Sequence, residues 1–200
     1  MIPKRIIYCW FGGKEKPANV INCMNTWKEK LKGYEFLELN ESNFDVNINE
    51  YCKKAYDTKH WAYVSDVARL WGLYNYGGIY MDTDVEVYKP LDEFLKYDFF
   101  TGFEQKHFPI TATMGANKGN WLIKEMLDTY NTKNFETHDK WTEYETNTMI
   151  LSDILGKYFD RDKEENQEHD NMAIFTKDIF CQGGSNAYTR HLMFGNWCER

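Results

Sequence analysis

Two segments of the chain carry a pair of aspartates separated by one residue. The first, Asp82-Thr83-Asp84, follows Gly77-Gly78 and a short apolar run at 79–81, whereas Asp160-Arg161-Asp162 lies in a charged run at 160–170. Neighbouring carboxylates repel each other unless a cation offsets their charge, and their oxygens are ligands for Mg²⁺ and Mn²⁺. The first pair is therefore a candidate metal site, with two solvated turn aspartates as the alternative. The second is interpreted as part of a solvated loop.

The elements around the first pair decide how its side chains point. Residues 79–88 have a strand-like pattern, and side chains two apart on a strand share one face, so we expect Asp82 and Asp84 to point together. A helix is predicted over 60–76, ended by Gly77-Gly78. Asp66 and Arg69 lie three residues apart on that helix and share a face. On spacing alone they form a surface ion pair.

The remaining pattern predicts an α/β chain. The opening strand–loop–helix–strand order favours a parallel pair, and with no repeat or linker we predict a single domain over residues 1–200. Further strands are predicted at 5–10, 34–39, 98–103, 111–116, 173–175 and 179–181. Further helices are predicted at 17–31, 119–130 and 141–159.

Composition narrows the class of protein. The 200-residue chain has a net charge of −7, which argues against a nucleic-acid partner. No apolar run approaches the roughly 20 residues that span a membrane, so the cytoplasm is the expected compartment. The five cysteines are scattered without a C-x-x-C pair, which favours neither a disulfide framework nor a zinc site.

Three segments together resemble a known family. They are the N-terminal Trp10-Phe11-Gly12-Gly13, the helix segment Ser65-Asp66-Val67-Ala68-Arg69, and Gly77-Gly78-Ile79-Tyr80-Met81-Asp82-Thr83-Asp84. They are similar to the DXD-containing sugar transferases, typified by yeast Och1-type mannosyltransferases and bacterial capsular polysaccharide transferases, and to the catalytic domains of clostridial glucosylating toxins. The resemblance implies a GT-A fold, a nucleotide-binding mixed sheet flanked by helices. It also implies a retaining, metal-dependent glycosyltransferase.

The resemblance assigns roles to single residues. Asp66 would accept hydrogen bonds from the donor sugar, and Arg69 would contact the sugar or the diphosphate. Trp10, at the end of the first strand, would stack on the nucleobase. Tyr80 would bind a phosphate or sugar oxygen, with a half-buried packing role as the alternative. Asp84 is expected as the direct metal ligand, and Asp82 as a ligand through water or the ribose.

Later positions follow the resemblance less closely. Glu104, after the strand at 98–103, is expected to meet the sugar or the acceptor, and Asn147 to lie near the reaction centre. His191 stands where the family supplies a late metal ligand, and imidazole favours Mn²⁺ over Mg²⁺. Trp197 would close over the donor. A structural histidine is the alternative for His191, because Leu192 follows it where relatives often have a second histidine.

The expected reaction transfers a sugar from a nucleotide-sugar, with UDP favoured, to a saccharide acceptor, free or lipid-linked, in surface-polysaccharide synthesis. Retention would follow from same-face attack assisted by the leaving phosphate, with Glu104 as the nucleophile otherwise. The resemblance also places the enzyme at the inner face of a bacterial membrane by peripheral association. The alternatives are a metal-dependent nucleotide-sugar phosphohydrolase and a non-catalytic sugar-nucleotide binder.

Overall fold

A computed structural model describes residues 1–138 and 145–194 of the chain. Its helices are α1 (Ala18–Lys30), α2 (Glu50–Asp57), α3 (Trp61–Tyr76), α4 (Trp121–Thr129), α5 (Asn147–Leu155) and α6 (Lys177–Phe180). Its strands are β1 (Arg5–Cys9), β2 (Glu35–Leu39), β3 (Gly78–Met81), β4 (Val85–Val87), β5 (Phe99–Gln105), β6 (Phe108–Pro109), β7 (Thr113–Ala116), β8 (Gln167–His169), β9 (Met172–Phe175) and β10 (Thr189–His191).

Eight of these strands form one mixed sheet. Its order is β2-β1-β3-β7-β5-β9-β8, with β6 paired to β5. β1 is parallel to both β2 and β3, whereas β7 is antiparallel to β3 and to β5. β3 and β5 therefore run in the same direction, and their carboxyl ends meet at one edge of the sheet. The predicted parallel pair and α/β class are confirmed.

The sheet is buried on both faces. Along β1, Ile7 and Cys9 pack in a cluster with α2, α3, α4 and α5, while Ile6 and Tyr8 pack in a second cluster with α1 and β4. Alternate residues of a strand point to opposite faces, and burial of both faces explains why β1 and β3 are almost continuously apolar. Trp27 of α1 is fully buried in the second cluster.

Three predicted elements differ from the structure, and one helix was not predicted. Residues 179–181 were predicted as a strand, but Lys177–Phe180 is a short helix; Phe180 packs against Phe94 and Phe100, and Tyr188 pairs with the backbone of Ile179. The charged run at 160–170 contains β8, whose backbone pairs with β9. The described part of the predicted 141–159 helix begins at Asn147. Helix α2, unpredicted, lies within the stretch after β2 and is capped by Asn49.

Candidate functional site

The Asp82–Asp84 segment is a turn between two sheets. The expected strand-face arrangement of the two aspartates is wrong, because β3 ends at Met81 and the Val85 N–H closes a turn on the Asp82 carbonyl at 3.1 Å. Beyond the turn, β4 leaves the large sheet and pairs with β10. Helix α1 holds β4 there, since Trp27 Nε1 donates to the Val85 carbonyl at 2.6 Å.

This turn and β10 bring three candidate ligands together. Asp82, Asp84 and His191 each offer one ligand atom, and these three atoms lie within 4.8 Å of one another. His191 lies opposite Val85 in the β4–β10 pair, and its Nε2 is 3.3 Å from Asp84 Oδ1. Asp84 Oδ2 accepts from the Phe194 N–H at 3.1 Å. Asp82 and Asp84 therefore converge although they share no strand face.

The electrostatics of the cluster depend on its burial. Burial alone lowers the pKa of His191, but the carboxylates of Asp84, Asp82 and Glu104 outweigh it and raise that pKa. Burial raises the pKa of Asp84, and the facing His191 with the Phe194 N–H brings it below its usual value. Both pKa shifts therefore favour the ionised carboxylate of Asp84 facing a positive charge.

A divalent cation fits this donor set. Two carboxylates and an imidazole are suitable for Mn²⁺, and Mg²⁺ would use the carboxylates. His191 Nδ1 is buried and has no hydrogen-bond partner among the described residues. Native proteins rarely leave a buried polar atom without a partner. The cluster supplies negative charge and an available imidazole at the same point.

Arg69 connects Asp82 to a second carboxylate of the candidate site, that of Asp66. It lies on α3, is 5% exposed, and its Nη2 is 3.0 Å from Asp66 Oδ1 and 3.4 Å from Asp82 Oδ1. Its Nη1 donates to the Thr111 carbonyl at 3.1 Å, and its guanidinium lies 4.5 Å from the Tyr80 ring centroid. The predicted Asp66–Arg69 pair is formed, but it is buried rather than a surface ion pair. Arg69 holds both aspartates, and these contacts use much of its hydrogen-bonding capacity.

Tyr80 donates a hydrogen bond to the carboxylate of Asp82. Its ring is 1% exposed and its hydroxyl donates to Asp82 Oδ1 at 2.7 Å. The ring therefore packs in the core, as in the packing alternative, but it is fully buried rather than half-buried. The hydroxyl points to the carboxylate, so any effect of Tyr80 on a bound donor would pass through Asp82.

Asp66 is fixed by α5 as well as by Arg69. Asn147, the first residue of α5, is 1% exposed and its Nδ2 donates to the Asp66 carbonyl at 3.0 Å. Burial raises the pKa of the Asp66 carboxyl to about 6, against the opposing effects of Arg69 and Asn147. Asn147, which was expected near the reaction centre, lies beside Asp66 and binds its backbone carbonyl.

Sequence reasoning missed Tyr130. Its buried hydroxyl donates to Asn147 Oδ1 at 2.7 Å, which orients the amide so that Nδ2 faces Asp66. A buried aromatic residue at the end of a predicted helix gives no signal of that role. The backbone of Phe194, which donates to Asp84, leaves no trace in residue type either.

Two further predicted residues border the site. Glu104 was expected after the strand, but it lies within β5, one residue before the strand ends. Burial and the nearby Asp82 raise the pKa of Glu104, and His191 opposes that rise. Trp10 follows β1, and its Nε1 donates to the Lys14 carbonyl at 2.6 Å, which fixes the indole at the mouth of the Gly12-Gly13 loop. Trp197 lies outside the described residues.

Comparison with known proteins places the fold and the motif. Residues 17–101 match the model of a family described as "Glycosyltransferase sugar-binding region containing DXD motif". No curated protein matches the chain significantly.

Three solved structures share the fold. "PaToxG Glycosyltransferase" has a TM-score of 0.61 and 17% identity over 78% of this chain and 69% of its own. A glycosyltransferase involved in glycosylation of the major capsid of PBCV-1 has a TM-score of 0.55 and 14% identity over 96% and 94%. The apo-form glycosyltransferase GlyE of Streptococcus pneumoniae TIGR4 has 0.50, with 8% identity over 80% and 44%.

These similarities are to the fold and to the region that holds the candidate site. They confirm the expected mixed α/β architecture of GT-A glycosyltransferases. The matched segment includes α3, which holds Asp66 and Arg69, and the turn between β3 and β4, which holds Asp82 and Asp84. Residues 17–101 are therefore similar to the DXD-containing sugar-binding region of glycosyltransferases, within a fold that solved glycosyltransferases share.

Proposed function

We propose that this protein is a retaining, metal-dependent glycosyltransferase that transfers a sugar from a nucleotide-sugar, most simply a UDP-sugar, to a saccharide acceptor. One observation carries the proposal. Asp84 and His191 meet beside Asp82, and Arg69 joins Asp82 to Asp66, all at the carboxyl edge of β3. In α/β sheets ligands bind beyond the carboxyl ends of strands.

Each group has a separate task in this reaction. Asp82, Asp84 and His191 would hold a divalent cation, which would offset negative charge on the departing nucleoside diphosphate. Asp66, which is buried, accepts hydrogen bonds from the hydroxyl groups of the donor sugar. Arg69 and Tyr80 keep Asp66 and Asp82 in register, acting as positioning residues. This assignment gives Arg69 less direct contact with the donor than the sequence implied.

Trp10 supports a UDP-sugar as the donor. Its indole is partly exposed beside the Gly12-Gly13 loop and lies at the carboxyl end of β1, next to β3. A planar base can stack there. Retention follows from attack on the donor's own face, assisted by the leaving phosphate. Glu104, buried near His191 and Asp82, is the nucleophile otherwise.

The acceptor and the compartment rest on the family resemblance alone. It favours surface-polysaccharide synthesis on a saccharide acceptor, free or lipid-linked, at the inner face of a bacterial membrane. Peripheral association would then bring the enzyme to its acceptor. No helix within residues 1–138 and 145–194 is long and apolar enough to cross the membrane.

The substitution Asp84→Asn tests the metal role. The variant keeps the shape of the side chain but weakens metal binding, so we expect release of UDP from a UDP-sugar panel in Mn²⁺ to fall at least a hundredfold. Asp57→Asn is the matched control, since Asp57 is exposed on α2 and pairs with Lys53. Unchanged turnover in Asp84→Asn would refute the proposal. The proposal would also be refuted if adding a saccharide acceptor, with no other change, restored the turnover of Asp84→Asn.

A further inference from the structure

A hairpin extends from the site edge of the sheet. β5 carries Glu104 and turns back as β6, with Gln105 opposite Phe108 and an irregular register between Phe103 and Gln105. Since β5 runs in the same direction as β3, its end lies at the edge that carries Asp82. Three residues along the chain separate Glu104 from His107, so their Cα atoms are at most about 11 Å apart.

A cavity of about 450 Å³ lies between this hairpin and the chain that follows α5. Small-ligand pockets in proteins occupy about 300–1,000 Å³, and this one is within that range. We call it the hairpin cavity; its walls include His107, Phe108, Phe159, Asp160, Arg161 and Asp162. The second D-x-D pair of the sequence is therefore part of the cavity wall.

The walls of the hairpin cavity are fixed in place. Ser152 Oγ donates to the His107 carbonyl at 2.9 Å, and Arg161 Nη1 donates to the same Oγ at 2.7 Å. His107 Nδ1 lies 3.1 Å from Asp162 Oδ1. His107 has φ +70°, in the left-handed region that non-glycine residues seldom adopt. The hairpin tip is therefore tied to α5 and to the 160–162 segment.

The chemistry of these walls suits a neutral sugar. Asp160 and Asp162 accept hydrogen bonds from hydroxyls, and His107 can exchange hydrogen bonds with them. Phe108 adds a partly exposed ring, and sugars bind along such rings through their C–H faces. Two carboxylates against one guanidinium leave no excess positive charge for a phosphate-bearing ligand. A ring of hydroxyl groups is the ligand that this wall fits best.

We propose that the hairpin cavity binds one neutral saccharide unit of the acceptor. The inference rests on the proposed function, because it assigns a place to the acceptor beyond Glu104. His107 in the cavity wall lies at most about 11 Å from Glu104. Helix α5 contributes Ser152 to the same wall and contacts Asp66 through Asn147, so it connects the cavity to the candidate donor site.

The test uses nuclear magnetic resonance of ¹⁵N-labelled full-length protein. The samples contain UDP and Mg²⁺ and are titrated with methyl glycosides of glucose, galactose, mannose and N-acetylglucosamine. We expect at least one glycoside to shift the amides of residues 105–108 and 156–162. Asp162→Asn should weaken that binding at least tenfold. Asp162 is 79% exposed, so this change leaves the fold in place.

The matched control is Asp153→Asn. Asp153 also lies beside Arg161, at 3.8 Å, but it is 84% exposed and is outside the lining of the cavity. We expect glycoside binding to stay unchanged in this variant. Equal loss in both variants, or no shift with any glycoside, would overturn the inference. Shifts at 160–162 produced by Mg²⁺ alone would also overturn it, because the wall would then be a cation site.

The same samples separate the inference from the proposed function. Binding of UDP with Mg²⁺ shifts residues at the β3 edge, and it is followed first. Shifts there with no glycoside effect would overturn the inference and leave the proposed function intact. Glycoside shifts without any response to UDP and Mg²⁺ would contradict the proposed function instead.

Discussion

At the residue scale, the buried guanidinium of Arg69 connects two carboxylates of the candidate site. Arg69 touches Asp66 and Asp82, and its side chain is 7% exposed. Replacing it leaves two carboxylates without the opposite charge that offsets their desolvation. A buried ion pair that loses one partner typically loses about 3–5 kcal/mol of stability. The spacing of Asp66 and Arg69 predicted the pair, but its burial follows only from the fold.

The variant Arg69→Met is therefore expected to lose about 3–5 kcal/mol of unfolding free energy, measured by urea denaturation. The matched control is Arg5→Met, whose pair with Glu35 is more exposed and should cost about 1 kcal/mol or less. Adding Asp66→Asn to Arg69→Met should recover part of the loss, because one unpaired carboxylate is removed. A loss in Arg69→Met no larger than in Arg5→Met would contradict the arrangement.

Asp66 gives a pH-dependent prediction of opposite sign to the usual carboxylate. Its folded pKa of about 6 lies above the unfolded value of 3.8, so the folded chain binds the proton more tightly. Asp66 therefore lowers the unfolding free energy as pH rises from about 4 to 6. Relative to Asp66→Asn, the wild type should lose about 2 kcal/mol between pH 4 and pH 6, because the slope reaches at most about 1.4 kcal/mol for each pH unit between the two pKa values.

Urea denaturation of wild type and Asp66→Asn at pH 4, 5 and 6 measures this difference directly. The comparison with Asp66→Asn removes the effects of Asp84 and His191, which are common to both proteins. Asp57→Asn is the control and should track the wild type. A constant difference between wild type and Asp66→Asn across the window would show that the pKa of Asp66 is not raised.

At the element scale, the Gly77-Gly78 turn places β3 and with it Asp82. The sequence predicted the end of α3 at this pair correctly, because glycine accepts the left-handed backbone that ends a helix. The sequence also predicted a short strand at 79–81 and extended structure again at 85–88, but it did not predict that the second segment leaves the large sheet. The break is set by β10 and by α1, which lie far away in the sequence.

Gly78→Ala should destabilise the fold strongly. Gly78 has φ +137°, and an added Cβ would lie 2.6 Å from the Arg5 carbonyl oxygen, which belongs to the neighbouring backbone. Gly119→Ala is the matched control, because Gly119 has φ +73° and no atom within 4 Å of an added Cβ. The control should cost about 1–2 kcal/mol, the usual cost of a left-handed residue. Gly78→Ala should cost clearly more by urea denaturation, and equal losses would contradict the close approach.

At the scale of the whole molecule, the chain joins distant segments into one site. Asp66 and Arg69 come from α3, Asp82 and Asp84 from the turn after β3, and His191 from β10 near the end. The early residues were predictable, because they lie in compact motifs. His191 depended on a pairing across more than 100 residues, which no local pattern shows. The fold class and the candidate metal site together support the proposed nucleotide-sugar transferase.

The most direct test of the central claim is a crystal structure of the full-length protein with Mn²⁺ and UDP, with anomalous diffraction at the manganese edge. We expect one anomalous peak within coordination distance of Asp84 and His191, with Asp82 beside it and the diphosphate at the peak. A peak at Asp160 and Asp162, or UDP bound away from the β3 edge, would contradict it.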